Sequence, residues 1–402
     1  MTITAVPLRA ARPAHVPEAL VYDFDYIRDE GILADPHRRM AEVATTMPPL
    51  FWTPHYGGHW VLNNRKLLAE VATDVARFSS KSGSIPPIPG DPKLIPLTFD
   101  PPVHTAYRIP LNPHFSPKGV AHLEATVRSM TDALIDAVLE KGRCDFLHEV
   151  AEPLPVVLFM QMAGMPSDRV KEFRHLAEDA TASPDPATRA AALGAIAAIL
   201  AETVTARIAV PRDDLISRIA AADFGGRKLE FEEIVNYSVL LFLGGLETVV
   251  NAISFSVRYL ALHSDIQDAL RADTASLPDA IEELLRLHGI PMTARRIAAD
   301  TRLGDVDLRQ GDLVMLLLPA INFDPGAYPD AASFCPMRKQ PHVSFNMGPH
   351  RCLGANLARL ELRVFFEQWL ARVPRFRLDP DKPPRFFGGL NLAVRSLDIE
   401  WT

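Results

Sequence analysis

Cysteine is scarce in this chain, with three residues in 402. So few, scattered over so long a sequence, argue against a disulfide-stapled scaffold and point to a reducing compartment, expected to be cytoplasmic. Long apolar runs are also missing. The longest, Val239 to Leu246, stops at Glu247 and falls well short of the roughly 20 residues that cross a bilayer, so no membrane is expected as a partner. Met1 to Pro17 carries arginines and prolines without an apolar segment and cleavage site, and does not read as a secretory signal. Residues 1–20 are expected to form a flexible arm and 21–402 a single domain. No Lys/Arg stripe is present, and 42 basic against 49 acidic residues give a net charge of −7, so nucleic acid is not an expected partner. Internal repeats and low-complexity tracts are absent as well.

What is present is ample apolar material, 48% of residues, enough for a large core. Helical spacing runs through about Ala34 to Leu50, Val120 to Leu139, Val150 to Met162, Arg169 to Ala180 and Pro186 to Ile208. Ser183-Pro184-Asp185-Pro186 reads as a turn between two helices that can move as a lid. Glu232 to Ala261 is the longest helical pattern and is expected to run through the whole molecule. Strand-like stretches are Gly58 to Leu62, Thr301 to Leu318 and parts of Leu378 to Trp401. Ser82 to Pro102 is rich in Pro, Gly and Ile and reads as a long structured loop. The fold class expected is mainly α with small β-sheets.

Two segments carry chemistry. In the first, Cys352 precedes a helix marked by Leu353, Leu357, Leu360 and Val364 and is framed by Gly348, His350, Arg351 and Gly354. Backbone N–H groups and nearby cations favour a thiolate there, and the glycines leave room for a flat cofactor. Cys144 and Cys335 lack that frame and are expected to be inert. In the second, Gly244-Gly245-Leu246-Glu247-Thr248 interrupts the long helix. Mid-helix glycines cost about 1 kcal/mol each relative to alanine, so close approach of a ligand is expected. Thr248 is placed to capture the Gly244 carbonyl and open the helix. Glu247 then supplies a proton and Thr248 a hydroxyl relay, the pair needed to split an O–O bond.

The pattern Phe345-x-x-Gly348-x-His350-x-Cys352-x-Gly354 resembles the haem-ligand segment of the cytochrome P-450 family, and Glu247-Thr248 resembles that family's acid-alcohol pair. The resemblance covers the chain from about Tyr22 to Trp401. It implies a haem b (iron protoporphyrin IX) held between the long central helix and the cysteine loop, with Cys352 as the metal ligand and Gly244, Phe345 and Gly354 beside the ring. His104 and Arg108 match a His-x-x-x-Arg motif, and with Arg296 and His350 they are the implied propionate ligands. Glu283, Arg286 and Arg338 match a structural Glu-x-x-Arg network behind the cysteine loop. The implied activity is monooxygenation, with O2 as co-substrate. Rival readings are a haem-thiolate peroxygenase or isomerase, and a non-catalytic haem-based ligand-binding protein.

Within the family the chain is most similar to the soluble bacterial group around camphor 5-monooxygenase. That implies electrons from a [2Fe-2S] ferredoxin served by an NADH-dependent ferredoxin reductase, with Arg108 and Arg359 as candidate contacts. The departures fall where substrate is expected. Pro92 to Pro96 contains no tyrosine, Leu97 stands where a threonine is usual, Gly83 to Ile85 replaces a phenylalanine, and Glu247 replaces an aspartate. The pocket implied is larger and more apolar than one for camphor, lined by Ile85, Leu97, Leu243, Met292 and Leu390 with Asn391 as a polar contact. An ionone-like norisoprenoid or other small terpenoid fits that description.

Overall fold

The computed structural model describes residues 9–81, 84–86, 93–165, 169–183 and 185–402. The helical patterns become the helices Pro36–Thr46, Glu124–Leu139, Pro153–Ala163, Val170–Ala182 and Pro186–Ala209. Asp35 and Asp185 accept backbone N–H bonds at the starts of two of them, each followed by proline at the first helical position. Pro186–Ala209 buries Ile196, Leu200 and Val204 in the core, a one-sided stripe that lays it over the centre of the molecule.

The long central helix is present but divided. It runs Phe231–Leu246, breaks at Glu247, and resumes as Thr248–Leu262. Its first half starts with a capping box between Glu230 and Glu233, which fixes where the helix begins. Its second half is buried almost all round, through Ile253, Phe255, Val257 and Leu260, as expected of a helix inside a large core. Pro186–Ala209 and Phe231–Leu262 are long and apolar enough to cross a bilayer by length and composition. Both are instead packed against the protein body.

A five-stranded sheet stands to one side, in the order Leu50–Thr53, His59–Leu62, Leu313–Leu316, Thr293–Ile297, Phe78–Ser79. Its second and third strands are parallel and its other pairs antiparallel. A smaller core of Trp52, Trp60, Leu68, Val71 and Ile297 packs there. Residues 9–20, expected within a loose arm, lie against this sheet. Val16 is fully buried and His15 Nε2 is 2.9 Å from Asp312 Oδ2. Thr301 to Leu318 forms a hairpin, Thr301–Leu303 with Val306–Leu308, and then the strand Leu313–Leu316. The C-terminal region adds short antiparallel pairs around Arg385–Phe387, Ala393–Ser396 and Asp398–Trp401.

Candidate active site

The helix Ala355–Arg372 and the central helix enclose a cavity of about 350 Å³ between them. Cys352 lines it, three residues before that helix begins, and its N–H donates to Phe345 O at 2.8 Å. Burial pushes the Cys352 thiol up, while the Gly354 N–H and the guanidinium groups of Arg108, Arg351 and Arg359 pull the other way. Phe345 lies beneath Arg359, 4.7 Å from guanidinium carbon to ring centre, and Arg359 is held bidentate by Glu282. Cys144 is buried with its thiol pushed well up by burial, and Cys335 sits near the Glu283 carboxylate through its backbone N–H, so neither lines the cavity.

The glycines divide their work. A Cβ on Gly244 or Gly354 meets nothing within 4 Å, and both residues line the cavity. A Cβ on Gly245 would lie 2.4 Å from the Phe159 ring, so Gly245 serves helix packing. Gly348 has φ +67° and a Cβ there would lie 2.2 Å from Ala72 O. Its absent side chain makes room for a neighbouring backbone instead of a cofactor. Thr248 Oγ1 donates to Gly244 O at 3.1 Å, at the break in the helix, and Thr248 lines the cavity.

Glu247 points away from that cavity. Its Oε2 accepts from Thr181 Oγ1 and from Asn391 Nδ2, each at 2.9 Å. The carboxyl borders a separate void of about 60 Å³ shared with Glu178, Asn251 and Arg395. Burial, the dominant influence, pushes its pKa up against the pull of those two hydrogen bonds.

At the cavity edge four cationic or protonatable groups gather: His104, Arg108, Arg295 and His350. The two imidazoles lie 4.2 Å apart between ring centres. Burial and the neighbouring arginines lower His104 to about 4 and His350 to about 3, and burial lowers Arg295 to about 10. His104 Nδ1 and Arg295 Nη2 are buried without a hydrogen-bond partner among the described residues. Cations that burial disfavours, with donors left open toward a cavity, suit an anionic occupant. A thiol in the same wall and glycines that leave the space clear fit a flat metal-bearing dianion such as haem b.

Several expected lining residues stand elsewhere. Arg296 faces off the cavity and donates to Gly311 O, and it is Arg295 that reaches in, because adjacent residues of the strand Thr293–Ile297 point to opposite sides. Met292 likewise faces away, with Ile290, Pro291 and Thr293 on the wall. Leu243 is one position out of phase with the helix face of Leu240, Leu241, Gly244 and Thr248 that lines the cavity. Ile85 is buried, with its carbonyl accepting from Tyr26 OH at 2.6 Å, and is not a wall residue. Leu390 bonds the backbone of Met292, and Asn391 is occupied by Glu247. Leu97 does line the cavity, as do Pro96 and Phe159. Gly83, Pro92 and Pro184 lie outside the described residues.

Behind the cysteine segment, Arg286 Nε and Nη2 bond Glu283 at 2.8 and 2.7 Å in a fully buried pair. Arg338 Nε adds a contact to Glu283 at 3.3 Å. Two residues that sequence spacing did not single out carry this network to the site. Asn322 O accepts from Arg286, and the Asn322 amide bonds Val343 N and Ser344 Oγ, directly before Phe345.

A family model for cytochrome P450 matches residues 197–401. The chain is 33% identical to "Probable cytochrome P450 127A1" of Sinorhizobium fredii, over 97% of this chain and 96% of that one. It is 36% identical to a "Steroid C26-monooxygenase" of Mycolicibacterium smegmatis, over 76% and 78% of the two chains. The crystal structure of CYP101J2 superposes with a TM-score of 0.89 at 35% identity, covering 98% of this chain and all of that one. With a cavity built for a flat anion and a cysteine in its wall, this chain belongs to the cytochrome P450 family of haem b monooxygenases.

Proposed function

We propose that Cys352 is the thiolate ligand of the haem iron and that the enzyme hydroxylates a small apolar terpenoid or norisoprenoid of the ionone kind. The observation that carries this reading is one cavity walled both by Cys352 and by the Thr248 segment of the central helix. Haem b, when bound, supplies the activation of O2 that inserts one oxygen into a C–H bond. His104, Arg108, Arg295 and His350 would hold its propionates, and Gly244 and Gly354 would leave its faces clear.

The chain's own part is proton control. Both donors to Glu247 engage Oε2, which leaves Oε1 to carry the proton that burial favours keeping. Thr248 Oγ1, after giving up its bond to Gly244 O, would donate its proton into the cavity and take one in return from Glu247 once that carboxyl swings away from Thr181 and Asn391. Glu247 draws on the void behind the helix, on the side away from the substrate. Thr248→Ala is expected to keep substrate binding and to release hydrogen peroxide at the expense of product; unchanged product per NADH would remove Thr248 from the relay.

Support for the substrate class is the wall itself. Leu240, Leu241, Val249, Phe159, Ile290, Pro291, Pro96 and Leu97 present apolar surface, which selects by shape and burial. Electrons from a [2Fe-2S] ferredoxin with an NADH-dependent reductase, and a cytoplasmic location, complete the reading, as does a single domain that takes in residues 9–20 together with 21–402. Optical titration of the ferric protein with β-ionone, camphor and a steroid tests it. A tight low-to-high-spin shift with β-ionone alone is expected, and a tight shift only with the steroid would overturn the substrate class.

A further inference from the structure

Three guanidinium groups, those of Arg108, Arg351 and Arg359, act on the Cys352 sulfur against the effect of burial. They differ in one respect. Arg108 donates to a neutral acceptor, Arg351 O, and neither Arg108 nor Arg351 meets a carboxylate among the described residues. Arg359 does: its Nε and Nη2 reach Glu282 Oε1 and Oε2 at 2.6 and 2.8 Å. Glu282 stands one position before Glu283 on the helix Leu277–Leu287, so two adjacent carboxylates serve the cysteine segment in different ways. Glu283 holds the buried Arg286 and Arg338 network, and Glu282 holds a cation that the sulfur feels.

The pair is anchored on the segment that leads to the cysteine. The Arg359 guanidinium stacks on Phe345, whose carbonyl accepts from Cys352 N at 2.8 Å. His342 Nε2 lies 3.3 Å from Glu282 Oε2, and Ser344 N–H donates to His342 Nδ1 at 3.1 Å, which leaves the ring proton of the neutral imidazole on Nε2, the nitrogen nearer the carboxylate. Burial pushes the Glu282 carboxyl up, but Arg359 and His342 outweigh it and hold it at about 2, so it is ionised throughout the neutral range. The Glu282 and Arg359 side chains are 41% and 31% exposed, and a partly exposed ion pair adds little to stability. What this one changes is the charge beside the sulfur: a cation lying on the cysteine segment, offset by an anion fastened to it.

We propose that Glu282 is a positioning residue that holds Arg359 over Phe345 and offsets its charge, and thereby sets the potential at which the haem on Cys352 is reduced. This rests on Cys352 being the haem ligand. The step concerned is the gain of one electron by ferric haem, supplied by the ferredoxin of the proposed reading, and it leaves the site one unit more negative. An Arg359 freed of its carboxylate favours that state and raises the potential, and loss of Arg359 lowers it. The two halves of one ion pair therefore act in opposite directions, whereas a pair that only braces the fold gives the same change whichever half is removed.

The test is a potentiometric titration of the holoenzyme followed in the Soret band. Glu282→Gln keeps the shape and one acceptor for Arg359 while removing the charge, and it is expected to move the ferric–ferrous equilibrium about threefold toward ferrous, a rise of roughly 30 mV at about 59 mV per tenfold for one electron. Arg359→Gln is expected to move it about threefold the other way, and the double variant to return near the wild type. Arg359→Lys keeps the charge without the fork and is expected to lie closer to the wild type than Arg359→Gln. Because the pair is partly exposed, about 1 M salt is expected to shrink both shifts. Shifts of one sign in Glu282→Gln and Arg359→Gln, or none in either, would overturn the proposal; if Arg359→Gln takes up no haem, an unmoved potential in Glu282→Gln overturns it alone. A wild type whose ferrous–CO spectrum lacks the thiolate signature would overturn the haem-thiolate site itself, a failure distinct from that of the tuning.

Discussion

Glu361 shows what a single residue contributes when its surroundings are apolar. It lines the cavity on the helix Ala355–Arg372, is 2% exposed, and its Oε2 has no hydrogen-bond partner among the described residues. Burial alone raises its pKa from 4.5 to about 8. Between those two values the unfolded chain has lost the proton and the folded chain has kept it, so stability is greatest below pH 4.5, falls as pH rises through the window, and levels off above about pH 8. The slope from this one group is at most about 1.4 kcal/mol per pH unit. Glu361→Gln keeps the shape and removes the proton, so its melting temperature is expected to vary less with pH across that window than the wild type's. Parallel Tm–pH curves for the two proteins would show that Glu361 ionises freely in the fold. Glu247 shares the buried carboxyl but differs in kind, because Thr181 and Asn391 give its charged form two donors and so a reason to titrate.

The central helix makes the same point one scale up. Two adjacent glycines look alike in sequence and both line the cavity, but a Cβ on Gly244 would stand in open space while one on Gly245 would meet the Phe159 ring. Gly244→Ala is therefore expected to stabilise the haem-free protein or leave it unchanged, with about 1 kcal/mol of helix propensity in its favour, while weakening the binding of haem or ligand in the cavity. Gly245→Ala forces Phe159 aside and is expected to cost about 1–3 kcal/mol. Thermal melts with a ligand titration separate the two, and equal melting temperatures would erase the distinction. Their difference marks the limit of what the sequence makes legible. Helix extents, the break at Thr248 and the Cys352 loop could be read because each rests on local chemistry: periodicity, a side-chain hydroxyl four residues from its acceptor, a helix start. Which face of an element looks inward rests on its neighbours. The strand Thr293–Ile297 carries Arg295 and Arg296 side by side, and no alternation of apolar and polar residues tells which faces the cavity. Leu243 missed the wall by one residue's rotation of the helix. Asn391 was legible as a polar residue near the site but not as a partner of Glu247, since 144 positions separate them. Asn322 and Ser344 went unseen for the same reason.

At the scale of the whole molecule, the haem acts as a piece of the core that the polypeptide cannot supply. Four basic side chains from three segments meet at the cavity edge: His104 and Arg108 from one helix, Arg295 from the sheet, and His350 from the cysteine loop. Asp100 offers some compensation to His104 and Arg295, but its oxygens are already engaged by Ser79 Oγ and Ser80 N at 2.5 and 2.8 Å. On the proposed reading, two haem propionates held by these side chains would fasten sheet, helix and loop to one another. Protein reconstituted with haem dimethyl ester keeps the flat ring and loses the two charges, and it is expected to release its cofactor to apomyoglobin with about a hundredfold lower affinity than haem b, the worth of two charge-assisted hydrogen bonds. Arg295→Leu should narrow the gap between the two haems, since one partner of a propionate has already gone. Arg296→Leu should leave the gap at its wild-type width, because that side chain is turned to Gly311. A gap that closes for Arg296→Leu and not for Arg295→Leu would mean the strand presents its other face to the haem, and with it that Thr293 and Met292 exchange places at the cavity wall.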